Sequence, residues 1–538
     1  MFDVLIVNAR ILDGTGNPWF YGDIGVKRDK IEAIGDLSGA KGGNGATAAP
    51  AAKVTIDAGG LVAAPGFIDI HTHSDLPLMV SGEGHAHIRQ GVTTNVIGNC
   101  GTSLAPLTDA SAAAMRTERG QDFPDIDYGW RTLGQYLDRL EQQGISLNVA
   151  ALVGHGSVRG AVMGYADRPP TAAELLRMKD LVRGAMEDGA VGLSSGLVYV
   201  PGSYAATDEV VELARVAAEY GGIYSTHIRT ENNTVLDSVA EAIDIGRQAH
   251  LPVEIAHLKA MGRHMWGKSV DILAMLDAAR AEGIEVTADQ YPFAASATGL
   301  GAYLPGWAHV GGAAALRARL RDPAERARMR HDIENGTSMW RGVGWENTMI
   351  TRAVQEEYEG KMVSEIAKTQ GKDPFDAAFD LLESNPGRVS IVFFTIGDED
   401  LERIMAHEAV MVGSDSSCIA VDGPLGRGVP HPRTFGSFVR VLGHYVRDVG
   451  NVTLAQAVRK MTSMPARKLG LFDRGLLRSG MKADVVVFDP ATVGDRATYT
   501  DPKQYATGIV HVFVNGQHTI RNGEHLGTMA GEVLRCGR

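Results

Sequence analysis

Cysteine is scarce in this chain: three residues in 538, namely Cys100, Cys418 and Cys536. An odd count at such wide spacing argues against a disulfide framework. Long apolar runs are missing too. No stretch reaches the ~18 consecutive apolar residues of a membrane-spanning helix. The amino terminus, Met1-Phe-Asp-Val-Leu-Ile-Val-Asn-Ala-Arg10, reads as a first strand, without a basic segment, long apolar core or small-residue cleavage site. A cytoplasmic location is the resulting expectation. Nor is positive charge in excess, since 52 Lys+Arg stand against 64 Asp+Glu for a formal net charge of −12. That balance offers nothing to nucleic acid or to an anionic membrane. A small molecule is the partner to look for.

What the chain does have is a set of metal-ligand residue types placed where strands end. His71 and His73 close the run Leu61-Val-Ala-Ala-Pro-Gly-Phe-Ile-Asp-Ile-His-Thr-His73. Side chains alternate along a strand, so the two imidazoles point the same way. Cys100 closes a run that begins at Gly91, His227 one from Gly221, His257 one from Leu251, and Asp415 one from Ala409. Each run is short, rich in β-formers and bounded by Gly or Pro, as a buried strand should be. A lone His at a strand end is more often a satisfied structural group than a ligand. Here a thiol, four imidazoles and a carboxylate gather at one end of successive strands, and together they supply the S, N and O donors that zinc prefers. Asp289 could equally hold a turn in Asp289-Gln-Tyr-Pro292, and His155 is a candidate supporting group outside the site.

Strand-like runs recur at about 65–71, 92–98, 148–154, 190–195, 222–227, 253–257, 284–289 and 410–415, with helical spacing between many of them. Thr171 three residues before Glu174 reads as a capping box that starts one of those helices. Eight alternating units predict an α/β fold, a (β/α)8 TIM-like barrel over residues 62–476 whose reactive groups sit at the carboxyl ends of its strands. Residues 1–61, with a loose Gly/Ala stretch at 39–52, and residues 477–538 are expected to complete one small β domain. Residues 292–409 or so separate the last two barrel strands by far more than a loop requires and are expected to form a helical lid insertion. A possible extra strand lies inside it, Arg388-Val-Ser-Ile-Val-Phe-Phe-Thr395.

The segment Pro65-Gly-Phe-Ile-Asp-Ile-His-Thr-His-Ser-Asp75 resembles the opening motif of the amidohydrolase superfamily. Further segments are similar to the D-aminoacylase (N-acyl-D-amino-acid deacylase) branch: Ile97-Gly-Asn-Cys-Gly101, Gly192-Leu-Ser-Ser-Gly-Leu-Val-Tyr-Val-Pro-Gly202, Thr226-His-Ile-Arg-Thr-Glu231, Ala256-His-Leu-Lys259, Asp289-Gln-Tyr-Pro-Phe293 and His431-Pro-Arg-Thr-Phe-Gly436. The resemblance implies a zinc on Cys100, His227 and His257, and a second, weaker position on His71, His73 and Asp415 bridged by Cys100. Many amidohydrolases bridge two metals with a carboxylated Lys at the end of strand four. Here that strand, Ala190-Val-Gly-Leu-Ser-Ser-Gly196, has no Lys, and Cys100 takes the bridging role. Asp415 would serve as general base and then general acid. Lys259, Tyr291 and Arg433, with Ser296 as a further candidate, would hold the substrate's α-carboxylate. Tyr199 would either stabilise charge on the scissile carbonyl or form an aromatic wall.

The implied reaction is zinc-dependent hydrolysis of N-acyl-D-amino acids. Residues 286–315 contain no Lys or Arg, so a neutral or apolar side chain is favoured, with Phe293, Leu300, Tyr303, Leu304 and Trp307 as candidate pocket walls. Two alternatives stand beside it. One is a cyclic-amide hydrolase of the hydantoinase or dihydropyrimidinase kind, against which the strand-four sequence counts. The other is a catalytically inactive scaffold, which should lack ligands, and none is lacking.

Overall fold

The computed structural model describes residues 1–37, 51–119, 123–385 and 389–536. Most of the Gly/Ala stretch singled out at 39–52 lies outside the described residues. Eight parallel strands follow one another around a barrel: β1 (Phe67–Asp69), β2 (Val92–Ile97), β3 (Asn148–Gly154), β4 (Gly192–Gly196), β5 (Ile223–His227), β6 (Val253–Ile255), β7 (Val286–Gln290) and β8 (Val410–Val412). Each ladder from β1 to β8 pairs sequence neighbours. Between β8 and β1 there is no full ladder. The ring closes at its carboxyl end alone, where Asp415 N donates to His71 O at 2.9 Å and His73 N to Ser416 O at 2.8 Å. Candidate site residues therefore also close the barrel.

Inward-facing Ile68, Val96, Leu152, Val191, Ile223 and Met411 fill the interior, and Ala466 and Leu469 form its floor. Outward faces of the strands pack on the helices in a larger apolar core. The helix Ala172–Glu187 begins with the capping box expected at Thr171, whose hydroxyl accepts from Glu174 N while its own N–H donates to the Glu174 carboxylate. The run expected as one strand over 65–71 is broken at Gly66. Val62–Pro65 pairs with Val485–Phe488 outside the barrel, and a side chain at Gly66 would collide with Thr93.

A second sheet is woven from both chain ends. It runs from Glu524–His525 through Gln517–Arg521, Ile509–Val514, Val485–Phe488, Val62–Pro65, Phe2–Ile11 and Phe20–Lys27 to Lys30–Gly35, with Ala52–Asp57 against Phe2–Ile11. Val533–Leu534 leaves it to pair with β3. The insertion between β7 and β8 is not helical throughout. Ala295–Gly299, Thr348–Arg352 and Ser390–Phe394, the last matching the extra strand read near 388–395, form a three-stranded antiparallel sheet beneath four helices. Alternation of buried Ile391 and Phe393 against the insertion's own core explains that strand. Among the described residues, no helix is long and apolar enough to cross a membrane.

A buried polar junction ties the end-built sheet to the barrel. Arg474 Nη1 lies 2.7 Å from Asp484 Oδ2, which also accepts from Asn148 of β3 at 3.1 Å, while Asp484 Oδ1 accepts from Asn515 N at 2.7 Å. Asp484→Ala would leave the Arg474 guanidinium buried with only the half-exposed Asp473, 3.1 Å from its Nε, as counter-ion. The expected loss is about 3–5 kcal/mol of unfolding free energy, read from denaturant melts, whereas a change near zero would mean that solvent reaches the junction.

Candidate metal centre and active site

The barrel brings the ligand candidates of distant sequence segments to one point. Cys100 Sγ is 3.3 Å from His71 Nε2 and 3.6 Å from His257 Nε2. Asp415 Oδ1 lies 3.1 Å from His73 Nε2 and 3.6 Å from His71 Nε2. Ligand atoms within 4.8 Å of one another form three overlapping groups: His71, Cys100 and His257; His71, His73 and Asp415; His227, Glu231 and His257. The His227 ring stands edge-on to His257 at 4.3 Å between centroids. Both of its ring nitrogens are buried without a hydrogen-bond partner. Burying an unpaired imidazole nitrogen is unfavourable, and metal ligation is a ready remedy.

Backbone conformation tells the same story. Cys100, His257 and Asp415 have φ of +52°, +35° and +48°, a region that side-chain-bearing residues seldom occupy and that clusters at functional sites. Each is held by its surroundings. His257 N donates to Asp289 Oδ1 at 3.0 Å and Asp415 N to His71 O at 2.9 Å, and Asn99, beside Cys100, donates its amide to Val96 O at 3.0 Å. Burial alone would raise the Cys100 thiol, but the imidazoles of His71, His227 and His257 outweigh it and hold the thiol well below its ordinary value. Cys418 has no such neighbours, and burial pushes it up to about 12. A thiolate among imidazoles with a carboxylate beside them is a donor set that fits zinc.

Carboxylates fix which ring nitrogen faces inward. Asp289 Oδ2 lies 3.1 Å from His71 Nδ1, so an N–H there leaves Nε2 as the donor atom toward Cys100. Asp289 is thus a buttress for a ligand candidate and not a turn residue. His257 Nδ1 has Glu231 Oε1 at 3.0 Å and Lys259 Nζ at 2.9 Å. Ligation through Nε2 requires a proton on Nδ1, which makes Glu231 its partner. The Lys259 ammonium then donates to Glu231 Oε1 at 2.5 Å and to His257 O at 2.9 Å, with one N–H left over.

Above these groups lies a cavity of about 310 Å³, lined by His73, Cys100, Tyr199, His227, His257, Lys259, Tyr291, Ser296, Asp415 and Arg433 among others. His71 sits fully buried beside it. Burial would raise the Asp415 carboxyl, yet the Arg433 guanidinium and the flanking histidines hold it well below the usual range. Arg433 Nη1 is 2.9 Å from Asp415 Oδ2, and its guanidinium stacks over Tyr291 at 4.6 Å. The Tyr291 hydroxyl bonds Ser296 Oγ at 2.8 Å, and that of Tyr199 bonds Thr298 Oγ1 at 3.1 Å.

Other expectations fare differently. His155 is turned away and bonds Glu209 at 2.9 Å, with Arg159 3.3 Å from the same carboxylate oxygen. None of the five apolar residues proposed as pocket walls lines this cavity. Phe293, Leu300 and Tyr303 are core residues, and Leu304 and Trp307 line a neighbouring cleft. Their places on the cavity wall are taken by Ala297, Thr298, Met339 and Phe393, all from the insertion. Sequence reasoning also passed over Glu231. It lies four residues beyond His227, inside a segment already singled out.

Zinc content is expected to follow Cys100, the softest ligand present. Cys100→Ala protein purified without added metal should carry far less zinc by elemental analysis than the parent, and Cys418→Ala should keep it. Equal zinc in Cys100→Ala and parent would remove Cys100 from the metal centre.

Comparison with known proteins agrees with this geometry. Residues 54–520 match the family model Amidohydro_3, the amidohydrolase family. The chain is 37% identical to D-aminoacylase of Alcaligenes xylosoxydans xylosoxydans, over 99% of this chain and 97% of that protein. It is 38% identical to N-acyl-D-glutamate deacylase of the same organism, over 96% and 93%. Among solved structures, N-acyl-D-glutamate deacylase from Bordetella bronchiseptica, complexed with zinc and a phosphonate mimic of the tetrahedral intermediate, matches with a TM-score of 0.80 and 36% identity, covering 99% of both chains. An L-hydantoinase from Arthrobacter aurescens, at 16% identity and a TM-score of 0.56, shares the fold alone. On these matches and on its own ligand geometry, the chain belongs to the amidohydrolase family, in the branch of D-aminoacylase and the N-acyl-D-amino-acid deacylases.

Proposed function

We propose that this protein is a zinc-dependent deacylase that hydrolyses N-acyl-D-amino acids to a carboxylate and a free D-amino acid. The observation that carries the reading is one small cavity in which a Cys-His-His ligand set faces an arginine and a carboxylate. Cys100, His227 and His257 would hold one zinc tightly, and His71, His73 and Asp415 a second more weakly, with the Cys100 thiolate shared between them. Bound zinc would supply a Lewis acid that polarises the amide carbonyl and makes water acidic near neutral pH.

The chain's own groups do the rest. The Asp415 carboxylate takes the proton from the attacking water and returns it to the departing nitrogen, the two transfers that amide hydrolysis requires. The guanidinium of Arg433 has N–H groups beyond the one facing Asp415 and can hold the substrate's α-carboxylate in a forked pair. Lys259 adds positive charge beside it through its remaining N–H, and Tyr291, hydrogen-bonded to Ser296, supports the clamp from below. With the carboxylate fixed at Arg433 and the carbonyl beside the ligand histidines, one enantiomer alone can send its side chain toward the wall of Ala297 and Phe393. Arg433 already faces Asp415 and Lys259 faces Glu231, and no further Lys or Arg lines the cavity among the described residues. A neutral or apolar side chain fits such a wall better than an acidic one.

Turnover is expected to be strongly biased to the D series in a panel of N-acetyl-D- and N-acetyl-L-amino acids assayed for released amine. Comparable kcat/KM for N-acetyl-D- and N-acetyl-L-methionine would refute the reading, and faster opening of a hydantoin than of either would favour cyclic-amide hydrolysis.

Asp415→Asn keeps the size and a possible oxygen ligand but removes the basic carboxylate. The tight zinc should remain while kcat falls by roughly 10²–10⁴-fold, the usual contribution of general acid–base catalysis. KM should change less, because the substrate is held by Arg433. An Asp415→Asn enzyme with normal zinc and near-parental kcat would mean that another group moves the proton.

A further inference from the structure

Next to the catalytic cavity lies a second, larger one of about 770 Å³, on the seam between barrel and insertion. Tyr199, Thr298 and Met339 line both cavities. These three side chains form a shared wall, latched by the 3.1 Å hydrogen bond between Tyr199 and Thr298. They lie on the side of the catalytic cavity where Tyr199 packs against His227, at 4.9 Å between rings, and not among the residues that surround Arg433.

Leu197, Val198, Val200, Leu304, Trp307 and Leu316 give the larger cleft apolar surface alongside a comparable share of polar groups. Four of the polar groups that line it have partners within the fold. Arg229 is held by Glu241 at 2.8 Å, Asp332 accepts from the Trp307 indole at 2.7 Å, and the Tyr204 hydroxyl donates to Gly306 O at 2.7 Å. His309 faces Gly301 O at 3.1 Å. With Arg229, Asp332, Tyr204 and His309 paired internally, the apolar side chains between them offer surface to an uncharged chain.

Resting on the deacylase reading above, we propose that this cleft is a subsite for the acyl group, and that the enzyme prefers apolar acyl chains much longer than acetyl, such as octanoyl. In an N-acyl amino acid the carbonyl carbon carries the nitrogen on one side and the acyl chain on the other. With the α-carboxylate at Arg433 and the carbonyl between the metal centre and Tyr199, the chain leaves past Tyr199 and Thr298. The catalytic cavity, at about 310 Å³, sits at the lower limit of small-molecule sites and suits a short derivative by itself. A longer chain must enter the neighbouring cleft, and each methylene placed there leaves water for apolar surface.

Two substrate series separate this inference from the reading it rests on. In the first the acyl group runs from acetyl through butanoyl and hexanoyl to octanoyl on D-methionine, and in the second the acetyl group is kept while the D-side chain grows from alanine to phenylalanine. The expected result is a rise of at least tenfold in kcat/KM from acetyl to octanoyl, with the second series levelling off at side chains that fill the catalytic cavity. Ala302→Trp, which adds bulk to the cleft from the insertion, should lower the octanoyl-to-acetyl ratio by tenfold or more, and Leu316→Trp should do the same from a second position. Hydrolysis of N-acetyl-D-methionine with octanoyl no better than acetyl would overturn the acyl subsite and leave the deacylase standing. A steep gain confined to the side-chain series would assign the cleft to the side chain instead. Failure of every N-acyl-D-amino acid would overturn the deacylase reading itself.

Discussion

The fold is organised around a buried thiol. Negative charge on Cys100 sits where there is almost no access to water, which is unfavourable unless positive charge is brought to it. Imidazoles are gathered around it, and the backbone accepts left-handed conformations at Cys100, His257 and Asp415. Strain of this kind, of order 1–3 kcal/mol at each residue, persists only where the surroundings over-determine it. The barrel provides that. Its closure through His71, His73, Asp415 and Ser416 joins first strand to last at the candidate metal centre, so the candidate ligands cannot drift apart without opening the ring.

Around this centre the charges are paired before any substrate arrives. Asp289 and Glu231 set the proton positions of His71 and His257, and Lys259 offsets the charge of Glu231. Arg433 faces Asp415. In the proposed reading a substrate carboxylate would meet a guanidinium already oriented by its neighbour and by the Tyr291 ring, so little ordering would remain to be done on binding.

Much of this was legible in the sequence for a simple reason. In a parallel barrel every strand is buried on both faces and ends at the same rim, so short β-rich runs ending in His, Cys or Asp report position and chemistry together. What escaped depends on contacts between segments. Asp289 could be told from a turn residue only by the imidazole and the amide it meets, and Glu231 only by the lysine folded onto it from β6. The insertion was harder still. Its apolar residues read alike whether they stay inside its own core, as Leu300 and Tyr303 do, or also reach the cavity wall, as Met339 and Phe393 do.

The missing lysine of strand four has a structural counterpart. A carboxylated lysine and a thiolate each bring one negative charge to a pair of metal positions, so either could serve, and the glycine that ends β4 leaves the space that the Cys100 turn occupies. A side chain at Gly196 would overlap the Cys100 carbonyl oxygen, and one at Gly101 would press on Gly196 N at 2.5 Å. Gly154, ending β3, is crowded in turn by the carbonyl of Gly101, 2.5 Å from where its Cβ would lie. Three strand ends are thus pinched together by glycines so that the Cys100 turn can lie across them.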